Sequence, residues 1–176
     1  MKRRYSMKLE KFLEEISPLI SDKDTLAVNA SPREAGNCRK MTALINKDIA
    51  GSSAVNLKDF DIKPCLGCLS CVAGHCLQKD DFGKLIKLIQ DRRVLIIISP
   101  VFFTSIPAQL KALIDRCQVY WTNKLKPVRH CDGYFVLIGE QSKDYLDCAS
   151  RPVKACFNTL GITHKGSYYI LNNEIA

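Results

Sequence analysis

No hydrophobic run in this chain is long enough to cross a bilayer: the longest, Val94 to Ile98, falls far short of the roughly 20 residues a spanning helix needs. Nor is the opening Met1-Lys2-Arg3-Arg4 followed by an apolar segment of the kind that directs secretion. The expected setting is therefore the reducing cytoplasm, where disulfides are disfavoured. Aromatic residues make up 8% of the chain and do not interleave with Lys and Arg in any stripe, so nucleic-acid binding is set aside. Internal repeats and low-complexity tracts are absent, which removes solenoids and long disordered linkers. There is no Gly-x-Gly-x-x-Gly loop, and with it goes a Rossmann dinucleotide turn.

Cysteine, by contrast, is abundant and clustered. Four of the nine fall within one twelve-residue stretch, as Cys65-x2-Cys68-x2-Cys71-x4-Cys76. Soft thiolates packed so densely point to a shared metal centre, and the first three repeat the spacing of bacterial ferredoxins. The fourth comes one residue late and lacks the following proline, and no second set exists to build a second cluster. One self-contained [4Fe–4S] site is the sharpest reading. A structural zinc and an empty or partly oxidised thiol loop stay open beside it. His75 sits inside the motif as a loop histidine, because four cysteines already complete a ligand set.

With 176 residues, 47% of them hydrophobic, the chain can bury one substantial core, and a single domain spanning 1–176 is expected. Residues 1–22 form a helical extension and 60–80 the cysteine loop. The net charge of +8 suits acidic partners such as small ferredoxins, which it would steer electrostatically.

Apolar positions at Leu9, Phe12, Leu13, Ile16 and Ile20 predict an amphipathic helix over Met7 to Ile20, with Pro18 ending or bending it. Thr25 to Ala30 reads as a strand and Asn37 to Ala50 as a helix entered through a Ser-, Pro- and Gly-rich turn. Ala54 to Leu57 is a second strand. A helix follows over about Asp81 to Asp91, its first turn capped by Asp80 and Asp81. Val94 to Ile98 is a β-branched run typical of a central parallel strand buried on both faces. Pro107 opens a helix carrying Leu110, Leu113 and Ile114. Tyr134 to Ile138, then a helix from Tyr145 to Leu160 closed by Gly161, then Ser167 to Leu171 complete the series. Strands alternating with helices argue for an α/β three-layer sandwich, a five-stranded parallel sheet of flavodoxin-like order 2-1-3-4-5 with helices on both faces and the cysteine-rich loop after strand 2.

In such a fold ligands bind outside the carboxyl ends of the strands, between strands 1 and 3. The loop after strand 1 holds Ser31, Arg33, Asn37 and Cys38, with backbone N–H groups at a helix start, which suits a phosphate. An ordinary turn capped by Asn37 is the alternative. After strand 3 come Pro100, Val101, Phe102, Phe103, Thr104 and Ser105, a composition that suits a flat apolar ligand with polar edges. The loop Gly139-Glu140-Gln141-Ser142 completes the pocket.

Ser-Pro-Arg followed by Gly-Asn, the four-cysteine loop ending near Asp80-Asp81, and Ser-Pro-Val-Phe-Phe leading to Pro-Ala-Gln-Leu-Lys-Ala-Leu-Ile-Asp-Arg116 together resemble the flavodoxin-like NADPH-dependent FMN reductase superfamily. Within it, the chain is most similar to the iron–sulfur flavoproteins of anaerobic microbes, over roughly Leu26 to Gln141. The resemblance implies FMN, its phosphate on Ser31, Arg33, Asn37 and Cys38 and its isoalloxazine along Pro100 to Ser105, reaching Gly139. Where relatives commonly carry Gly before Ser-Pro-Arg and Ser or Thr after Gly-Asn, this chain has Ala30 and Cys38. It also implies homodimers or homotetramers, with Tyr120 and Trp121 either at that interface or in the core.

The expected activity is that of an oxidoreductase: electron transfer between FMN and a [4Fe–4S] cluster on Cys65, Cys68, Cys71 and Cys76, to or from a ferredoxin-like partner or a small acceptor. No side chain is required as a general acid or base. NAD(P)H, if used, stacks on the flavin. The alternatives are an NAD(P)H-dependent FMN or quinone reductase whose cysteine loop holds no metal, and a zinc-stapled protein that binds a phosphate ligand other than flavin. Cys117, Cys131, Cys148 and Cys156 read as small buried hydrophobes.

Overall fold

A computed structural model describes residues 9–20, 24–140 and 144–175. Five strands, β1 (Thr25–Asn29), β2 (Ser52–Asn56), β3 (Val94–Pro100), β4 (Asp132–Gly139) and β5 (Thr163–Leu171), form one parallel sheet in the order β2-β1-β3-β4-β5. This is the expected doubly wound arrangement. The helices are α1 (Leu9–Ile20), α2 (Asn37–Asp48), α3 (Phe82–Gln90), α4 (Ala108–Arg116), α5 (Gln118–Thr122) and α6 (Asp144–Leu160). Among the described residues no helix is long and apolar enough to cross a membrane.

The β-branched run of β3 shows why helices must cover both sides. Val94, Ile96 and Ile98 point to a core shared with Phe12, Ile16 and Ile20 of α1 and Met41 and Ile45 of α2. Leu95 and Ile97 point the other way, toward Leu85 and Ile89 of α3, Leu110 and Leu113 of α4, and Val153 and Phe157 of α6. That is the period-2 alternation of a strand, buried on both faces. The helix after β1 and the helix after β3 therefore leave their neighbouring strands on opposite sides of the sheet, which opens a crevice between the two strand ends.

Several boundaries differ from expectation for local reasons. α1 continues through Pro18 to Ile20. Pro18 lies on the exposed side, where the carbonyl that loses its partner can be hydrated, while Ile20 is fully buried and holds the last turn. β4 starts two residues before the expected Tyr134 and includes Gly133, a poor strand former that packing requires there: a Cβ would lie 2.6 Å from Ile162 and 2.7 Å from Phe157. β5 begins at Thr163, and its polar first residues pair with β4 across a register shift at Gly133/Tyr134. The five-residue α5 has too few turns to show a helical period. Cys148 is exposed on α6, which corrects its reading as a buried hydrophobe; Cys117, Cys131 and Cys156 are buried. Burial pushes the Cys131 thiol up to about 12. The expected Met7 start of α1, the place of Leu9 on its apolar face, and Gln141 and Ser142 of the third loop lie outside the described residues.

Candidate functional site

Asn29 ends β1 fully buried, and its side chain shapes the loop that leads to α2. Its Oδ1 accepts from the Ser31 N–H at 3.0 Å, and its Nδ2 donates to Asn56 Oδ1 at 3.1 Å, tying the ends of β1 and β2. Ser31 Oγ in turn accepts from the Arg33 N–H at 3.3 Å. These short side-chain turns bend the loop back to the start of α2. The cap of α2 is Gly36, not Asn37, and no side chain caps it. The first bond within the helix runs from the Lys40 N–H to the Gly36 carbonyl at 3.0 Å, so the N–H groups of Asn37, Cys38 and Arg39 have no helical partner. An anion is favoured at such an end.

These residues border a cleft of about 260 Å³ at the carboxyl edge of the sheet. Ser31, Arg33, Asn37 and Cys38 form one wall, while Pro100, Val101 and Phe102 meet Gly139 on the other. The Val101 N–H donates to the Ile138 carbonyl at 3.0 Å, which pins this loop to β4. Gly139 leaves space for close packing: a Cβ there would lie 2.4 Å from Tyr169 Oη and 2.7 Å from Val101 Cγ2. Burial raises the Cys38 thiol to about 12 despite the opposing field of Arg33, so it is neutral at ordinary pH.

Phe103, Thr104 and Ser105 are not part of the wall. Phe102 and Ser105 exchange backbone bonds of 2.8 and 3.0 Å around a two-residue turn with Phe103 and Thr104 in the left-handed region, at φ 45° and 67°. Neither residue is suited to that region, and Phe103 stands fully exposed at the tip. Sequence reasoning missed Gly36, Ile138, Tyr145 and Asn172 as cleft residues. Asn172 was accessible by rule, since it follows β5 at the same edge. Tyr145 reads only as a helix start.

The cysteine loop folds on itself through three left-handed residues, Gly67, Leu69 and Gly74, at φ 64°, 58° and 87°. As a result Cys65, Cys68, Cys71 and Cys76 border one cavity of about 60 Å³, together with Leu66, Leu69, Arg116 and Val119. Cys65 and Cys68 are exposed, Cys71 and Cys76 half-buried, and all four are free thiols. Hydrogen bonds from Ser70 hold the Cys68 thiol below its ordinary value. Among the described residues no three His, Cys, Asp or Glu side chains converge closely enough for one metal ion. A cubane cluster spaces its thiolates more widely, because its irons and sulfides stand between them.

The neck of the loop is tied by a buried ion pair. The side chains of Asp80 and Arg116 are each 1% exposed and bonded through two oxygens, with Arg116 Nη2 to Asp80 Oδ1 at 3.2 Å. Asp80 also accepts from the N–H groups of Lys63 and Phe82 at 3.0 and 3.1 Å, and Arg116 Nη1 donates to the Lys63 carbonyl at 3.1 Å. Asp80 thus cross-links the loop ends as well as the first turn of α3. Burial pushes its carboxyl up, but the guanidinium and the two N–H groups outweigh burial and hold it below the usual range. Higher up, Asn123 Nδ2 donates to the Cys71 carbonyl at 2.8 Å. His75 stays on the exposed rim. Tyr120 packs on Phe82 with ring centroids 6.2 Å apart, whereas Trp121 is 67% exposed.

The sequence pattern of the NADPH-dependent FMN reductase family matches residues 24–174. An iron–sulfur flavoprotein of Archaeoglobus fulgidus is 34% identical over 100 residues, covering 54% of this chain and 46% of the relative. One from Methanocaldococcus jannaschii is 32% identical over 96 residues, covering 52% and 50%. The chain spans about half the length of the curated relatives it matches. Among solved structures, the azoreductase AzrA superposes with a TM-score of 0.62 at 12% identity, covering 85% of this chain and 87% of that one, a likeness of fold.

Proposed function

The chain belongs to the NADPH-dependent FMN reductase family, and from that premise we propose that it is an iron–sulfur flavoprotein: it holds FMN in the strand-edge cleft and a [4Fe–4S] cluster on Cys65, Cys68, Cys71 and Cys76. The observation that carries this reading is that all four loop cysteines border one cavity, in a chain whose cleft pairs a helix N-terminus with an apolar wall. Naming of the relatives as iron–sulfur flavoproteins supports it.

The residues divide the work of binding. The N–H groups of Asn37 and Cys38, the Ser31 hydroxyl and the Arg33 guanidinium hold the phosphate. Pro100, Val101 and Phe102, with Gly139 opposite, receive the flat ring, while Phe103, Thr104 and Ser105 build the turn that presents Phe102. A neutral thiol at Cys38 is a weaker donor than the hydroxyl usual in relatives. FMN supplies exchange of two electrons or one, and the cluster exchange of one. The protein's part is to fix both groups and limit water access. Because no dinucleotide loop exists, NAD(P)H as donor would stack on the flavin, and the net positive charge suits an acidic protein such as a ferredoxin. A homo-oligomer would bring the cleft of one copy near the loop of another.

An anaerobic absorption spectrum, with iron, sulfide and flavin measured on the same sample, tests the reading. Flavin bands with a broad iron–thiolate shoulder and about four irons per chain are expected. The exposure of Cys65 and Cys68 favours a second reading, an NAD(P)H-dependent FMN or quinone reductase without a cluster. Flavin without iron, after attempted reconstitution with iron and sulfide, would establish that reading instead.

A further inference from the structure

Arg116 has more donors than its partners use. Two guanidinium nitrogens serve Asp80 and the Lys63 carbonyl, but Nε is buried with no hydrogen-bond partner. A buried donor left unpaired is costly, and a lysine could satisfy Asp80 without leaving one. The same guanidinium borders the cavity of the four cysteines, beside Cys76, and stacks 4.9 Å from the Phe82 ring centroid. It is therefore a permanent cation in a poorly hydrated position next to the thiolates, with its carboxylate partner, Asp80, on the side of the loop neck. Lys63 is exposed and its ammonium turns to Asp61, so it adds little field at the cavity.

We infer that Arg116 is a positioning residue for the cysteine-bound group, and that its balance with Asp80 sets how readily that group accepts an electron. This rests on the proposed [4Fe–4S] cluster. A cation close to the cluster stabilises the more negative, reduced form and raises its potential; an anion does the reverse. The pair consequently makes two predictions of opposite sign. Asp80→Asn keeps the shape and one acceptor oxygen but removes the anion, so the potential shifts upward. Arg116→Gln keeps an amide donor for Asp80 but removes the cation beside the thiolates, so the potential shifts downward.

The experiment uses the full chain, reconstituted anaerobically with iron and sulfide, and follows the cluster signal by electron paramagnetic resonance during a redox titration. Iron, sulfide and flavin content and the melting temperature are recorded for each protein. If the unsubstituted chain takes up no iron and sulfide, the cluster assignment itself fails. If it does, shifts of opposite sign in the two variants uphold the role of Arg116. Shifts of the same sign, or none, overturn it, since a merely structural clamp would loosen the loop equally in both. Should one variant fail to fold, the direction of shift in the other decides.

Discussion

Asn37, at the first turn of α2, donates its side-chain amide to the backbone oxygen of Asn172 at 2.9 Å and to that residue's Oδ1 at 3.1 Å. The end of β5 is thereby tied to the start of the helix that faces the cleft. The amide of Asn37 is committed to this brace, which leaves its backbone N–H for an anion. Substituting Asn172→Ala removes one of the two acceptors and loosens the brace. An affinity loss of about tenfold for FMN is expected, roughly the worth of one hydrogen bond. Fluorescence titration of the metal-free chain with FMN measures it; an unchanged affinity would show that the brace does not organise the cleft.

Gly139→Ala should be more damaging. The added methyl collides with Tyr169 Oη and Val101 Cγ2, which lie 2.4 and 2.7 Å from where it would sit. Overpacking of this kind costs about 1–3 kcal/mol. Urea denaturation reports the loss in stability, and flavin content after purification should fall with it.

The ion pair at the neck of the cysteine loop gives a larger effect. Arg116→Ala leaves the Asp80 carboxylate buried without its cation, a loss of about 3–5 kcal/mol. The pH dependence comes from the depressed carboxyl of Asp80. Its contribution is complete above the unfolded value of 3.8 and is lost as pH falls through the lower folded value. The sequence has a single tryptophan, Trp121, which borders a cavity with Cys65. Its emission should change in acid in the metal-free chain and be altered already at neutral pH in Arg116→Ala.

Thiol reactivity should follow exposure and charge. Cys68 is exposed with a lowered thiol value, while Cys38 and Cys131 are buried with values pushed up to about 12. In metal-free chain at about pH 7.5, alkylation followed by mass spectrometry should mark Cys68 well before Cys38 or Cys131. Early labelling of Cys38 would contradict the burial that sets its value.

The turn after β3 holds recoverable stability. Thr104 is β-branched yet sits at φ 67°, and strain of this kind costs about 1–3 kcal/mol. Replacing it with glycine should raise stability by about 1 kcal/mol after the entropy of glycine is counted, measurable by urea denaturation. Phe102 and the cleft wall should keep their place, so FMN affinity should change little.

The alternation of strands and helices was readable because β3 is a nearly pure apolar run, β1 carries Leu26-Ala27-Val28 at its centre, and α3 carries its core stripe at regular spacing. Gly133 and the polar start of β5 concealed the true lengths of the last two strands, since their burial depends on α6 and a register shift and not on local propensity. At the site, Ser31, Arg33, Cys38, Pro100 to Phe102 and Gly139 follow from loop position in a doubly wound sheet. Phe103 to Ser105 look the same in sequence, but a tight turn points them away from the wall. The Asp80–Arg116 pair was hidden for a different reason. Its members are far apart in the chain and each has an ordinary local role, as a helix cap and as a basic residue in a last helical turn.

The packing of α1 sets a condition on how the chain is made. Phe12 meets Tyr168 of β5 edge to face, with ring centroids 5.0 Å apart, so an early helix is completed by the last strand. A ribosome must deliver β5 before the part of α1 that carries Phe12 gains its Tyr168 neighbour. Until then that edge of the shared core is open to solvent and to chaperones, and its closure waits on a contact of long sequence separation.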